Sequence, residues 1–318
     1  MKKILCVGHT CVDITTRHVD QLPPPGLLKG IESVTMNPGG CASNAAIDLA
    51  KLGADPRLVI KIGADGFGGF LESVLDKNKV DRRYVVVDPA LETSATCVLI
   101  GESGERTFLH NPGANDKLHA DDIPDAALEE CDILFVAGTF LMEEFDGAEC
   151  KKLLMRAREK GLFTVLDTAW DFRGYWINKL GQCLPYLDLF MPSYDEAVEL
   201  CGGERDLDKL CDAFHGMGAR HVIIKWGHHG AYISEAGKAR FLSPAFPAET
   251  VVDTTGAGDS FCAGFLYALA DGADFPHAAR VGNAVGHHCV GGVGATYGIP
   301  TYGEILVFLE KADNNDNG

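Results

Sequence analysis

Near its carboxyl end the chain reads Asp253-Thr254-Thr255-Gly256-Ala257-Gly258-Asp259-Ser260-Phe261, a polar, Gly-rich turn that leads into an apolar stretch. We expect the apolar stretch to be a helix that runs to about Ala270. The three small residues of the turn allow their backbone N–H groups to converge, and the helix N-terminus behind them favours negative charge. The motif therefore predicts an anion site at the start of a helix.

Asp259 lies in the first turn of that predicted helix. An acidic residue there interacts favourably with the helix dipole by about 0.3–1 kcal/mol, which would explain Asp259 alone. It would not explain the small residues beside it, or Asp253 and the two threonines before it. A carboxylate next to an anion site can take a proton from a hydroxyl while the amides stabilise developing phosphate charge. We therefore interpret Asp259 as a general base.

Two further Gly-containing motifs precede predicted helices in the N-terminal part of the chain. They read Asn37-Pro38-Gly39-Gly40-Cys41-Ala42-Ser43-Asn44-Ala45-Ala46 and Gly63-Ala64-Asp65-Gly66-Phe67-Gly68. Two glycines before an Ala-rich helix let a ligand approach the backbone closely. The amide of Asn44, one turn into that helix, can donate to and accept from adjacent hydroxyls. Taken alone, either motif is compatible with an ordinary turn before a helix.

Short apolar runs alternate with helical stretches along the chain. The predicted strands are Ile4–Val7, Arg57–Ile62, Cys131–Ala137, Leu162–Leu166, Leu189–Met191 and His221–Lys225. The predicted helices between them are Ala42–Leu52, Gly68–Asn78, Cys150–Lys160, Asp195–Cys201 and Leu207–Met217. This alternation predicts βαβ units and a mostly parallel sheet. Thr15–Met36 and Ser94–His110 break the rhythm, and we expect them to form a small sheet that covers a cleft, with a turn at Gly101–Gly104.

Composition and charge exclude several classes of protein. Of the 318 residues, 46% are hydrophobic, which is enough to bury a large core. The 28 basic and 45 acidic residues give a formal net charge of −17, which disfavours general nucleic-acid binding. No apolar run approaches the roughly 20 residues of a membrane span, and a full signal peptide is not recognisable. The 11 cysteines include no C-x-x-C pair, so we expect free thiols and a cytoplasmic location.

Together and in this order, the three motifs resemble those of the ribokinase-type (PfkB) carbohydrate kinases, over nearly the whole chain. The resemblance implies an α/β, three-layer ribokinase-like fold, with a mostly parallel central sheet flanked by helices and a small β-sheet lid. Residues 1–318 would form a single kinase domain, with lid segments near 14–37 and 94–112 inserted in it. The implied reaction uses ATP and Mg²⁺ to phosphorylate a hydroxyl of a small polyol.

The resemblance also implies roles for residues at matching positions. The catalytic base would be Asp259, with the anion hole formed by Gly256, Ala257 and Gly258. Substrate contacts would come from Asp13, Gly39, Gly40, Asn44 and the lid arginine Arg106. On the ATP side the matching positions are Ser193, Lys225, Gly227, Gly230 and Asn283. A turn aspartate, an exposed strand arginine and a lysine at a strand end are the alternative interpretations of Asp13, Arg106 and Lys225.

Two kinds of metal ion are implied as well. Glu196 matches a glutamate that helps to hold Mg²⁺-bound water, although Ser193 stands where the family usually has Asn. Ser193 and Glu196 also have the spacing of a capping box, which would explain both residues without a catalytic role. Asp253 and Thr255 match residues that surround K⁺ in related kinases, so K⁺ is a further implied cofactor.

The acceptor is less well defined by the sequence. Asp167 and Arg173 follow a predicted strand at the sheet edge where ligands of open α/β sheets bind, so both are candidates for substrate or phosphate contact. Thr139 stands where some family members have a ribose-contacting Glu, which weighs against ribose. The two arginines would suit an acidic sugar such as 2-keto-3-deoxygluconate, or fructose. A nucleoside is the alternative acceptor, with its base against Phe140 or Trp170.

Other classes of function fit the sequence less well. A nicotinamide-dependent dehydrogenase would need G-x-G-x-x-G after the first strand, where the chain has only Gly8, and a P-loop kinase would need G-x-x-x-x-G-K-[ST]. A non-catalytic sugar-sensing protein of the same fold usually lacks the base, whereas Asp259 is present. The expected partners are therefore a small sugar and ATP, without nucleic acid or membrane. The lid sheet also permits a homodimer, because pairing protects sheet edges.

Overall fold

A mostly parallel eight-stranded sheet lies at the centre of the protein, in a computed structural model that describes residues 1–102 and 105–316. The strands are β1 (Ile4–Gly8), β2 (Cys11–Arg17), β3 (Ser33–Gly39), β4 (Arg57–Val59), β5 (Lys61–Gly63), β6 (Val86–Asp88), β7 (Ala95–Ile100), β8 (Arg106–Asn111), β9 (Ile133–Thr139), β10 (Phe163–Thr168), β11 (Leu189–Phe190), β12 (His221–Lys225), β13 (Ala231–Ser234) and β14 (Phe241–Ser243). The order in the main sheet is β14-β13-β12-β11-β10-β9-β1-β4. Its strands all run in one direction except β13, which pairs antiparallel with both β12 and the edge strand β14.

Helices cover both faces of this sheet. They are α1 (Cys41–Leu52), α2 (Gly66–Lys77), α3 (Asp125–Glu129), α4 (Cys150–Glu159), α5 (Ile177–Leu180), α6 (Tyr194–Leu200), α7 (Leu207–Gly216), α8 (Ala257–Ala270), α9 (Phe275–Cys289) and α10 (Tyr302–Asp316). The core divides along the sheet because successive strand residues point to opposite faces. In β1, Ile4 and Cys6 pack on the side of α1, α8 and α9, whereas Leu5 and Val7 pack on the side of α4, α6 and α7. The result is a three-layer α/β arrangement, as the resemblance implied.

A second, four-stranded sheet forms the lid, with the order β3-β2-β7-β8. Its register pairs Asp13 with Thr96 and Thr96 with His110 across three strands, so these side chains share one face. The lid therefore comes from the two segments that the sequence analysis separated from the main sheet. The predicted turn at Gly101–Gly104 lies partly outside the described residues.

The sequence predicted most of these elements correctly. The strand His221–Lys225 and the helix running to Ala270 are confirmed. The single strand predicted over Arg57–Ile62 is wrong, because the chain changes sheets at Ile60. Its first half is β4 of the main sheet, and its second half is β5, which pairs with β6 in a separate two-stranded sheet.

Two other findings concern the whole described chain. The 11 cysteines are all free thiols in the structure. Among the described helices, none has the length and apolar character needed to cross a membrane.

Candidate active site

The Gly-rich turn before α8 has a backbone shape that only glycine adopts easily. Gly256, the N-cap of α8, has φ +80°, and a Cβ there would lie 2.1 Å from the carbonyl oxygen of Ala295. The N–H of Ala257 donates to the Thr254 carbonyl at 3.2 Å. Of the three predicted anion-hole residues, Gly256 and Gly258 are therefore the better placed to offer their amides to a ligand.

Asn44 and Asp259 meet beside this turn. Asn44 Nδ2 donates to Asp259 Oδ2 at 2.8 Å, and both side chains are buried. The contact brings together the first turns of α1 and α8, which pack against each other. The two predicted motifs, 215 residues apart in sequence, thus converge on one carboxylate.

The charge of Asp259 is held in a low-dielectric setting. Burial raises the pKa of this carboxyl group, although the hydrogen bond from Asn44 and the positive charge of Lys225 oppose the rise. A raised carboxyl pKa makes Asp259 a better proton acceptor than a solvated aspartate. The site therefore has the electrostatic character that a general base requires.

Asp13, beside Gly39 and Gly40 on the lid, faces the same site, since burial and the nearby Asp259 charge both raise the pKa of Asp13. A Cβ on Gly39 would lie 2.3 Å from Asp13 Oδ2, and one on Gly40 would lie 2.3 Å from Thr10 Cα. Glycine is therefore required for the turn before α1 to pack against β2. Burial raises the pKa of Asp13, while hydrogen bonds from the Cys11 thiol and Thr96 oppose this change.

Several buried polar atoms near this cleft have no hydrogen-bond partner within the described part of the chain. They are Asn44 Oδ1, Thr139 Oγ1, His110 Nε2 and both ring nitrogens of His9. The His9 and His110 rings are 5.7 Å apart, and a Cβ on Gly138, next to Thr139, would touch His9. An unsatisfied buried polar atom costs about 1–3 kcal/mol, so such a group indicates a place for a ligand rich in hydroxyls.

Lys225 and Asp167 form a buried ion pair under the anion-hole turn. Lys225 Nζ lies 2.5 Å from Asp167 Oδ1, and a Cβ on Gly258 would lie 3.3 Å from the same ammonium. Burial alone would lower the pKa of Lys225, but the Asp167 carboxylate reverses this effect and raises it well above the ordinary value. In the structure these two residues are each other's partners, and their predicted contacts with substrate or phosphate stay predictions.

Arg173 is likewise held by side chains of this chain. Its guanidinium contacts Asp116 at 2.9 Å and Glu143 at 2.9 Å, and Nη1 donates to the Phe140 carbonyl. Asp171 accepts the backbone N–H groups of Arg173, Gly174 and Trp176, which fixes the loop that carries it. The structure does not bring Arg173 to the cleft as an unpaired cation.

Arg106 reaches from the lid to the turn before α8. Nη2 donates to Asp253 Oδ1 at 2.8 Å, and Nη1 donates to Thr255 Oγ1 at 2.7 Å. The residue lies at the cleft, as expected of a lid arginine. Its partners, however, are the two residues predicted to bind K⁺, and not an open acceptor site.

Glu196 and Ser193 form the capping box that the sequence suggested. Ser193 N donates to Glu196 Oε2 at 2.9 Å, and Glu196 N donates to Ser193 Oγ at 3.4 Å. Thr168 Oγ1 also donates to Glu196 Oε2, at 2.8 Å. These contacts hold the Glu196 carboxylate at the carboxyl end of β10, beside Asp167.

The remaining predicted ATP contacts lie at the edge of the main sheet. Gly230 has φ +102°, and a Cβ there would lie 2.1 Å from the Ser243 carbonyl oxygen. Asn283 Nδ2 donates to the carbonyls of Ser243 and Pro244. Gly230 and Asn283 thus meet at the end of β14. Gly227 lies in the same loop as Gly230, and a Cβ there would have no atom of residues 1–102 or 105–316 within 4 Å.

Of the two implied metal ions, Mg²⁺ fits the residues present and K⁺ does not. Mg²⁺ keeps several waters and is held by one or two carboxylates plus substrate phosphates, and a single carboxylate such as Glu196 suits that role. The described residues contain no cluster of three or more metal-binding side chains. Asp253 and Thr255 do not fit K⁺ in this arrangement, because Arg106 binds both side chains.

Sequence reasoning missed some residues of the site. Asp48, fully buried on α1, accepts from Ser260 Oγ at 2.6 Å, next to Asp259. The available signal was its position four residues after Asn44, which places both side chains on one helix face. His9 was also missed, and no pattern in its surroundings distinguishes it.

The whole chain is similar to known carbohydrate kinases. The pfkB family carbohydrate kinase model matches residues 1–302. A ribokinase from Haemophilus influenzae is 28% identical over 308 residues, which cover 94% of this chain and 97% of the relative. A 5-dehydro-2-deoxygluconokinase from Geobacillus kaustophilus is 26% identical over 325 residues, covering 98% and 94%.

Solved structures show the same fold at lower sequence identity. The ribokinase of Arabidopsis thaliana, complexed with ribose and ATP, superposes with a TM-score of 0.87 at 23% identity and covers 97% of this chain and 99% of that one. An E. coli protein in complex with ATP and Mg²⁺ superposes with a TM-score of 0.82 at 24% identity, covering 98% and 100%.

Proposed function

Because the chain belongs to the pfkB family of carbohydrate kinases, and is thus an ATP-dependent sugar kinase that phosphorylates an alcohol group, we propose that its acceptor is a small neutral sugar bound between Asp13, Asn44 and Asp259. The observation that carries this proposal is the Asn44–Asp259 hydrogen bond, which lies beside buried polar atoms that lack partners among the described residues. A sugar with several hydroxyls would supply the missing partners.

In the proposed reaction, Asp259 takes the proton of the acceptor hydroxyl. Because Asn44 occupies Oδ2, the proton would go to Oδ1. The hydroxyl oxygen forms a bond to the γ-phosphorus as the bond from that phosphorus to the bridging oxygen breaks, and ADP leaves. The amides of Gly256 and Gly258 and the N-terminus of α8 would stabilise the charge on the transferred group.

The nucleotide would lie along the carboxyl edge of the main sheet. Glu196 would hold Mg²⁺ through water, and this ion would supply charge neutralisation for the phosphates. Gly227, Gly230 and Asn283 would border the nucleotide beyond it. Ser193 would act through the capping box, by fixing Glu196.

A neutral acceptor is favoured over an acidic one by the charges of the cleft. Arg106, Arg173 and Lys225 each have a carboxylate partner in the chain. Burial, reinforced by His110, lowers the pKa of His9 to about 3, so this ring is neutral at physiological pH. A sugar carboxylate would therefore have to break an existing ion pair, whereas the hydroxyls of a fructose-like sugar would not.

A nucleoside acceptor has one observation in its favour. Trp170 and Phe172 are each more than half exposed, and the Phe172 ring lies 6.4 Å from that of His110 on the cleft face of the lid. Exposed aromatic faces could stack on a nucleobase. Phe140, by contrast, is buried against Trp176 and is not available for this role.

We further propose that the chain folds as one domain and pairs with a second copy through the lid. The lid face opposite Asp13 is largely apolar and carries Ile14, Leu99 and the exposed side chains of Val34, Met36 and Leu109. Burying this face would remove apolar area from water. Light scattering of the wild type and of Leu109→Lys would test the dimer, and Leu242→Lys on β14 is a matched exposed control.

The proposed location is the cytoplasm. All 11 cysteines are free, and thiols persist in a reducing compartment. Fluorescent tagging in the source cell would test this location directly.

The acceptor class is tested by Mg²⁺-dependent release of ADP from ATP. The panel contains fructose, ribose, tagatose, 2-keto-3-deoxygluconate, adenosine, inosine and fructose 6-phosphate. We expect the highest kcat/KM with a neutral sugar. A clear preference for the sugar acid would contradict the argument from the paired arginines. A preference for a nucleoside would support stacking of the nucleobase on Trp170 and Phe172. ATP binding without turnover on any acceptor would favour a sensing protein.

A further inference from the structure

One guanidinium contacts both side chains that the sequence suggested as ligands of a monovalent cation. Arg106 forms two parallel N–H···O contacts, to Asp253 Oδ1 at 2.8 Å and to Thr255 Oγ1 at 2.7 Å. Arg106 begins β8 of the lid, whereas Asp253 and Thr255 precede the anion-hole turn. The ion pair therefore spans the cleft and joins its two walls.

Asp253 has donors on both carboxylate oxygens. Oδ1 accepts from Thr255 N at 2.8 Å as well as from Arg106, and Oδ2 accepts from Gly294 N at 3.1 Å. Burial would raise the pKa of Asp253, but its hydrogen bonds with Thr255 and Gly294 and the Arg106 charge together lower it. The carboxylate is ionised, and its charge is balanced by an arginine.

The loop after α9 is also bound by a lysine side chain. Lys51 Nζ donates to the Thr296 carbonyl. The carbonyl oxygens of Thr255 and Ala295 both lie within hydrogen-bond distance of Cys289 Sγ, at 3.5 and 3.3 Å. Burial raises the pKa of this thiol to about 12, so it is a neutral donor. The Thr296 carbonyl thus accepts from an ammonium, and the Thr255 and Ala295 carbonyls share the single proton of one thiol.

We propose that the Arg106 guanidinium serves as a built-in cation, which makes the kinase independent of K⁺ and ties closure of the lid to the geometry of the anion hole. The guanidinium is always charged, and because it is covalently attached to the chain it cannot leave the site as a free ion can. Its charge would repel a second cation placed against Asp253. Arg106 is then a positioning residue, since it acts on the turn through Asp253 and Thr255. The expected effect of K⁺ on turnover rests on the proposed function, whereas its expected effect on melting temperature does not.

Its first test compares the wild type in KCl, NaCl and choline chloride at one ionic strength, with ATP as its Tris salt. We expect turnover to change by less than about twofold between salts. Melting temperature, measured without substrates, should show no K⁺-specific rise, and this measurement remains valid whichever acceptor is correct.

The second test removes the built-in cation. Arg106→Met keeps an unbranched, uncharged stem of similar length to the aliphatic part of arginine, and it leaves Asp253 and Thr255 without the guanidinium. We expect this variant to acquire a K⁺-specific rise in melting temperature of about 2 °C or more, and a turnover that K⁺ increases several-fold over choline. Arg82→Met is the matched control. Arg82 follows α2 and likewise forms ion pairs with carboxylates, those of Asp76 and Glu72 in α2, but it lies outside the site, so this variant should show no K⁺ effect.

Two results would overturn the proposal. The first is a wild type that K⁺ activates about tenfold or stabilises specifically, since an ion would then bind despite Arg106. The second is an Arg106→Met variant that folds, melts and turns over identically in K⁺ and choline. If the Met variant does not fold, the wild-type comparison decides alone.

Discussion

Asn44 Nδ2 and Asp259 Oδ2 lie 2.8 Å apart, and this contact orients the carboxylate that we propose as the general base. A parallel contact lies one helical turn further along α1, where Asp48 accepts from Ser260, the neighbour of Asp259. Two residues four apart on α1 thus hold two consecutive residues at the start of α8. The position of the base is fixed by packing between two helices, and not by a flexible loop.

Asp48 should give the protein a distinctive dependence of stability on pH. Burial raises its pKa to about 8, although the Ser260 hydrogen bond opposes the rise. The native state then keeps a proton that the unfolded state releases, so this group lowers stability as pH rises from about 4 to about 8, by at most about 1.4 kcal/mol per pH unit. Asp48→Asn cannot ionise, and its melting temperature should exceed that of the wild type increasingly towards pH 8. If the difference in melting temperature between the wild type and Asp48→Asn stays constant from pH 5 to 8, the pKa of Asp48 is not raised in the folded state.

Asp13 should govern binding of the acceptor and not of ATP. Hydrogen bonds to a charged group contribute about 1.5–3 kcal/mol, so Asp13→Asn should raise the acceptor KM about 10- to 100-fold and change the ATP KM by less than twofold. Steady-state kinetics with both substrates varied measure this. The exposed Asp20→Asn, on the same lid segment, should behave like the wild type. Equal effects on both KM values would remove Asp13 from the acceptor site.

Glu196 and Ser193 should separate the Mg²⁺ role from the capping role. Glu196→Gln can still accept from the Ser193 N–H, so stability should change little, while half-saturation by Mg²⁺ should rise about 10-fold or more. Ser193→Ala loses the cap and should cost about 1 kcal/mol of stability with little change in the Mg²⁺ requirement. Melting and Mg²⁺ titration of both variants decide between the roles. An unchanged Mg²⁺ requirement in Glu196→Gln would leave Glu196 only a capping function.

The Lys225–Asp167 ion pair should be important for stability. Lys225→Met leaves a buried carboxylate without its partner, and such changes cost about 3–5 kcal/mol. Replacing both residues, in Lys225→Met with Asp167→Leu, should recover much of the loss because no buried charge remains. Urea unfolding of the two single variants and the double variant measures the coupling. Strictly additive losses would mean that the pair contributes little as a pair.

Much of the fold could be predicted from the sequence because local patterns determine it. The apolar runs, the Gly-rich turns before helices and the alternation in β7 and β8 each report a structural element directly. The change of sheet at Ile60 could not be predicted, since Arg57–Ile62 contains no glycine or proline to mark a break and only pairing with β6 divides it.

The site was predictable in its location and less so in its pairings. Asn44 and Asp259 lie within motifs that also specify their surroundings. The partners of Arg173 and Lys225 come from distant segments, Asp116 and Asp167, and no sequence pattern states which charges will meet across the packed core. The sequence therefore indicated cationic ligand contacts where the structure has internal ion pairs.

Asp259→Asn is the decisive variant for the kinase mechanism, because the amide keeps the shape of the side chain and cannot accept the hydroxyl proton. We would measure kcat with saturating Mg²⁺·ATP and the preferred acceptor, beside Asp271→Asn at the exposed far end of α8. A fall in kcat of about 10²–10⁴ with an unchanged melting temperature, and a control equal to the wild type, is the expected result. Wild-type turnover in Asp259→Asn would contradict its assignment as the general base.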